Sequence, residues 1–97
     1  MIKNADFYMA NVYPEIGRLL SYKKENNKEG AEKAYIRAEK VIGEVLKSED
    51  LPNYAKEEWW TFRNLVASYK ELTDEEERIV IAFSEPFSYR FMNNYNK

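Results

Sequence analysis

Residues 31–46, AEKAYIRAEKVIGEVL, repeat apolar side chains every three or four positions. An α-helix turns once every 3.6 residues, so this spacing places the apolar side chains on one face. The stripe consists of Ala31, Ala34, Tyr35, Ala38, Val41, Ile42, Val45 and Leu46. We therefore predict an amphipathic helix, and the alanines in its first half predict a close approach of the neighbouring helix.

A second apolar stripe lies before this helix and contains a proline. Its members are Ala5, Met9, Val12, Ile16 and Leu19. Pro14 lacks the N–H group that would bond to the carbonyl of Ala10. Either one helix from about Asn4 to Glu25 is kinked at Pro14, or a short helix ends near Tyr13 and a second helix begins there. The unbroken stripe favours a single helix.

The segment that joins these two helices is the polar string ENNKEG, residues 25–30. Asparagine tolerates the left-handed backbone conformation and also caps helix ends. Asn26 and Asn27 therefore predict a tight turn that reverses the direction of the chain.

A third helix is expected after Pro52, a residue suited to the first turn of a helix. We predict that it runs to about Leu72. Its apolar face carries Ala55, Trp59, Phe62, Leu65, Val66, Tyr69 and Leu72. This helix brings the largest side chains to the core.

A fourth helix is predicted by the sequence TDEE, residues 73–76. Thr73 and Glu76 have the spacing of a capping box, in which each side chain bonds to the other residue's backbone N–H. We expect a short helix from about Asp74 to Phe83. The aromatic segment from Ser84 onward has three possible roles: a lid across the bundle, a further short helix or a partner-binding segment.

These elements predict an all-α fold. We expect one domain over residues 1–97, an up-down antiparallel bundle of three long helices with a short fourth helix and an aromatic C-terminal segment. Hydrophobic residues make up 44% and charged residues 33% of the chain. This balance is typical of a globular domain and unlike that of an intrinsically disordered chain.

The chain contains no histidine and no cysteine. Histidine is the side chain that titrates nearest to neutral pH and the commonest metal ligand, and cysteine supplies thiolate nucleophiles and metal ligands. Carboxylates remain, but the run from Asp74 to Glu77 lacks the alternation and central glycine of a calcium loop. We therefore expect no metal, no cofactor and no enzymatic activity.

The charge pattern argues against a nucleic-acid partner. The formal net charge is −2, and glutamates alternate with the basic row Lys33, Arg37 and Lys40. No apolar run is long enough for a membrane span or a signal peptide, so we expect a cytoplasmic protein that does not bind membranes.

The residues most suited to contact a partner are aromatic. Trp60 follows the core residue Trp59, so it lies at the edge of the apolar face, on the flank of Arg63, and this composition is typical of an interaction hot spot. The candidate partner-binding residues are Trp60, Arg63, Phe87, Tyr89 and Phe91. We expect a protein-interaction or regulatory module, with a homodimer as one form. The alternative is a bundle that binds a small hydrophobic ligand between the start of helix two and the aromatic residues of helix three.

Four positions around the first turn carry residue types found in a repeat family. They are Tyr22, Ala31, Tyr35 and Ala38. In these positions the helix pair resembles a tetratricopeptide hairpin. Leu19 and Gly43 depart from that pattern, and no second copy follows about 34 residues later, so the resemblance implies no function for this chain.

Overall fold

The computed structural model describes the backbone of residues 4–95 and the side chains of residues 4–90. Within this part of the chain all regular structure is helical. The elements are α1 (Ala5–Lys24), α2 (Lys28–Lys47), α3 (Asn53–Ala67), a 3₁₀ turn (Tyr69–Glu71) and α4 (Asp74–Tyr95). The all-α class is thus confirmed.

The four α-helices form a closed ring in which each helix packs against the next and α4 returns to α1. Short connections make consecutive helices antiparallel, as predicted. The pairs that fix their register are Glu15 with Arg37, Glu32 with Tyr69, Phe62 with Phe83 and Lys23 with Glu77. The backbones of α3 and α4 make the fewest close approaches of the four neighbouring pairs, and aromatic rings lie between them.

The core lies inside this ring and follows the predicted apolar faces. Buried residues of α1 and α2 include Val12, Ile16, Ala34 and Ile42, none of which is exposed to solvent. Trp59 is the largest fully buried side chain. Its ring lies 5.3 Å from that of Phe62 and 5.0 Å from that of Phe83, so aromatic contacts join α3 to α4.

Helix α1 is continuous through Pro14, which confirms the single-helix interpretation. The turn after it is also as predicted. Asn26 adopts a left-handed conformation with φ of 58°. The side chain of Asn27 accepts a hydrogen bond of 2.9 Å from the backbone N–H of Gly30 and so caps α2.

The capping box at the start of α4 is present. The N–H of Thr73 donates to the Glu76 carboxylate at 2.9 Å, and the N–H of Glu76 donates to the Thr73 hydroxyl at 3.2 Å. Hydrogen bonds from Thr73 lower the pKa of Glu76, because they stabilise its charged form.

Two predicted helix ends are wrong. Helix α3 ends at Ala67 rather than near Leu72, and the chain continues as a 3₁₀ turn that still buries Tyr69 and Leu72. Helix α4 does not stop at Phe83 but continues to Tyr95, with Pro86 inside it.

The fourth helix is therefore long, and the segment from Ser84 is neither a lid nor a separate helix. Proline removes one backbone hydrogen bond, but burial of one helix face offsets that loss. The fully buried Ser84 hydroxyl donates to the carbonyl of Val80 at 3.1 Å. No helix in the described part of the chain is long and apolar enough to cross a membrane.

Candidate functional site

Trp60 lies on the outer face of the α2–α3 pair. Half of it is exposed to solvent, whereas the preceding Trp59 is 1% exposed. Neighbouring residues of a helix point about 100° apart, which accounts for the contrast. The guanidinium carbon of Arg63 lies 4.9 Å from the centre of a Trp60 ring, in a cation–π arrangement.

Arg63 is held in place by the neighbouring helix. Its Nε donates to both carboxylate oxygens of Glu39, at 2.9 and 3.1 Å. This hydrogen bonding raises the pKa of Arg63, so the guanidinium stays charged. The side chain that supports Trp60 is thus ordered before any partner arrives.

Ile36 is a further exposed apolar residue on this face, with 57% of its surface accessible. It lies one helical turn before Glu39 on α2. Sequence reasoning did not single it out. The signal was available, because Ile36 is the only large apolar residue of α2 outside the predicted stripe. We name the surface formed by Ile36, Glu39, Trp60 and Arg63 the Trp60 face.

Of the other candidate residues, the two with described side chains, Phe87 and Tyr89, do not lie on the Trp60 face. Phe87 packs inside the bundle, 5.3 Å from Trp59 between ring centres. Tyr89 is 64% exposed and lies one turn after Glu85, which accepts a hydrogen bond of 3.0 Å from Tyr13 of α1. Tyr89 is therefore on the α1–α4 side. Phe91 falls outside the described side chains.

An apolar cavity of about 330 Å³ lies where the α2–α3 connection meets α4. Its walls include Leu51, Trp59, Phe83 and Phe87. A smaller space of about 250 Å³ lies between α3 and α4 and shares Phe83 with it. The apolar cavity lies at the opposite end of the bundle from the predicted ligand site, and the smaller space lies between them.

The predicted ligand site, at the start of α2, is an open depression of about 390 Å³ beside the first turn. Tyr22, Ala31 and Tyr69 line it together with three lysines. The Tyr69 hydroxyl donates to Glu32 at 3.1 Å. Burial and this carboxylate raise the pKa of Tyr69, so its hydroxyl stays protonated at neutral pH.

Among the described residues, no group of three or more acidic side chains is placed to hold a metal ion. The buried side-chain nitrogen and oxygen atoms of the same residues all have hydrogen-bond partners. The large apolar side chains that remain exposed among the described residues are Ile36, Tyr54, Trp60, Ile79 and Tyr89, and of these Trp60 has the guanidinium of Arg63 beside its ring. Comparisons with protein-family models, curated proteins and solved structures found no match.

Proposed function

We propose that this protein is a small protein-interaction module whose docking surface is the Trp60 face and whose partner on that face is a second copy of the chain. The observation that carries the proposal is the half-exposed Trp60, supported by an arginine that Glu39 holds in position. Tryptophan and arginine are enriched among residues that dominate binding energy. A side chain that is already ordered loses less entropy on binding.

The charges around Trp60 suit contact with an identical surface. A two-fold axis brings the same patch against itself, so an excess of one sign would repel the partner. Here the charged residues tied to Trp60 are one of each sign, Arg63 beside its ring and Glu39 paired with Arg63, and the exposed positions of α2 and α3 carry both glutamates and lysines. Rotation about a two-fold axis can place acids of one protomer opposite bases of the other.

The size of the face is also adequate. A helix of 20 residues such as α2 is about 30 Å long. Two helices packed roughly 10 Å apart present a surface about 20 Å wide. Because α3 has 15 residues and is about 22 Å long, the two helices together present roughly 500 Å² on each protomer, or about 1,000 Å² in total, which is the area of a small, weak interface.

The test is the solution mass of the protein by light scattering over a hundredfold range of concentration, for the native chain and for Trp60→Ala. We expect the native chain to reach twice the mass of one protomer. The concentration at which the dimer dissociates should be at least tenfold higher for Trp60→Ala than for the native chain, since hot-spot truncations cost about 2 kcal/mol or more. Both proteins should keep the same helical circular dichroism.

Tyr89→Ala is the matched control, because it removes an exposed aromatic ring from the α1–α4 side. It should assemble as the native chain does. A native chain that remains a monomer throughout, or a dimer that Tyr89→Ala weakens and Trp60→Ala does not, would contradict the proposal.

A further inference from the structure

The apolar cavity at the α2–α3 connection carries two charged side chains at its edge. Glu58 reaches it from α3 and Arg90 from α4. Both residues are exposed, and the rest of the lining is mainly apolar. The cavity thus combines a mainly apolar lining with one acidic and one basic side chain, contributed by different helices.

Among the described residues, neither charged side chain, that of Glu58 or that of Arg90, has an ion-pair partner. Arg90 instead lies with its guanidinium carbon 4.9 Å from the centre of the Phe87 ring. A cation held against an aromatic wall keeps its N–H donors available for an anion.

The volume of the cavity limits the size of its ligand. About 330 Å³ is at the lower end of the range of small-molecule sites, roughly 300–1,000 Å³. A compact molecule with one apolar group fits this space. Three aromatic rings that pack on one another, those of Trp59, Phe83 and Phe87, form part of its wall and provide an apolar surface.

We propose that this cavity binds a free apolar amino acid as its zwitterion. The apolar side chain occupies the aromatic interior, the carboxylate pairs with Arg90 and the ammonium pairs with Glu58. Opposite charges from the two helices favour a ligand that carries both charges over one that carries either alone. The site is separate from the Trp60 face, so this inference does not depend on the proposed interaction function.

The experiment is a fluorescence titration of the Trp60→Phe variant, in which Trp59 is the only tryptophan and lies in the cavity wall. The probes are L-phenylalanine, phenethylamine, which lacks the carboxylate, and 3-phenylpropanoate, which lacks the ammonium. We expect saturable binding of L-phenylalanine, with each of the other two probes at least about tenfold weaker, since a hydrogen bond to a charged group contributes roughly 1.5–3 kcal/mol.

Two substitutions test which charged group of the ligand each residue binds. Arg90→Gln should weaken L-phenylalanine about tenfold and leave phenethylamine unchanged, and Glu58→Gln should weaken L-phenylalanine and leave 3-phenylpropanoate unchanged. Arg78→Gln, an exposed arginine of α4 that is not part of this cavity, is the control and should bind as the parent does.

The proposal is overturned if no probe gives a saturable change at millimolar concentration. It is equally overturned if the three probes bind alike and both charge substitutions have no effect, because the cavity would then select only for apolar character. Amide chemical shifts of α3 and α4, recorded for the native chain, check that any fluorescence change comes from this site.

Discussion

At the scale of single residues, Gly30 shows how closely the first two helices approach. A Cβ atom at this position would lie 2.7 to 2.9 Å from the ring carbons of Tyr22. At Gly17 an added Cβ would meet nothing within 4 Å. The absence of a side chain at Gly30 therefore leaves room for the Tyr22 ring, whereas the space around Gly17 would accommodate a side chain.

We expect alanine substitutions at these glycines to have opposite effects on stability. Gly17→Ala should raise the free energy of unfolding by up to about 1 kcal/mol, the difference in helix propensity. Gly30→Ala should lower it, because overpacking costs about 1–3 kcal/mol and exceeds that gain. Urea unfolding followed by circular dichroism measures both. Equal stabilisation by the two substitutions would show that Tyr22 does not occupy the space beside Gly30.

The capping box predicts a dependence of stability on pH. Because the pKa of Glu76 is lowered in the folded state, its charged form stabilises the fold above the pKa of the unfolded chain. That contribution is lost as the pH falls through the folded-state pKa. Glu76→Gln should therefore be less stable than the native chain at pH 7, and the difference should shrink as the pH falls below the ordinary glutamate range, about 4.3.

Unfolding by urea at pH 7 and at pH 3 tests this expectation. Glu75→Gln is the matched control, since Glu75 lies in the same first turn but accepts no side-chain hydrogen bond among the described contacts. A Glu76→Gln effect of the same size at both pH values would show that the charge of the capping carboxylate contributes nothing.

Sequence spacing was sufficient to assign Trp59 to the core and Trp60 to its edge, because a single helical face cannot bury both. The pairing of Arg63 with Glu39 was not predictable. It depends on the register between α2 and α3, and helical periodicity carries no information about register between helices.

At the scale of helices, α4 is the element that sequence reasoning divided wrongly. We expected this helix to end near Phe83, three residues before Pro86, and proline is unfavourable inside a helix. The structure keeps the helix intact through it. Phe83 and Phe87, one helical turn apart, both pack on Trp59. Their burial on one face offsets the lost backbone hydrogen bond.

Pro86→Ala should therefore stabilise the protein. It restores the N–H that bonds to the carbonyl of Ala82, at an exposed position where the added hydrogen bond displaces no packed side chain. We expect a gain of about 1–2 kcal/mol, less than the full propensity difference of about 3 kcal/mol because the unfolded chain also gains freedom. Thermal unfolding measures the gain, and a lower midpoint would contradict a continuous α4.

At the scale of the whole molecule, periodicity and turn chemistry predicted the class and order of the helices, while the two proposed binding surfaces depend on the ring that the helices form. Exposure of Ile36 and Trp60 together follows from the packing of α2 against α3. The apolar cavity is lined by residues of α1, the α2–α3 connection, α3 and α4. Neither can be read from one helix, because each requires two elements to meet.

The most direct test of the account is an isotope-filtered NOE experiment on an equal mixture of ¹³C-labelled and unlabelled protein, which detects only contacts between protomers. The account predicts cross-peaks between the Trp60 indole protons of one protomer and the Trp60 face of the other. Intermolecular cross-peaks confined to Tyr89 and the α1–α4 side, or none at millimolar protein, would contradict it.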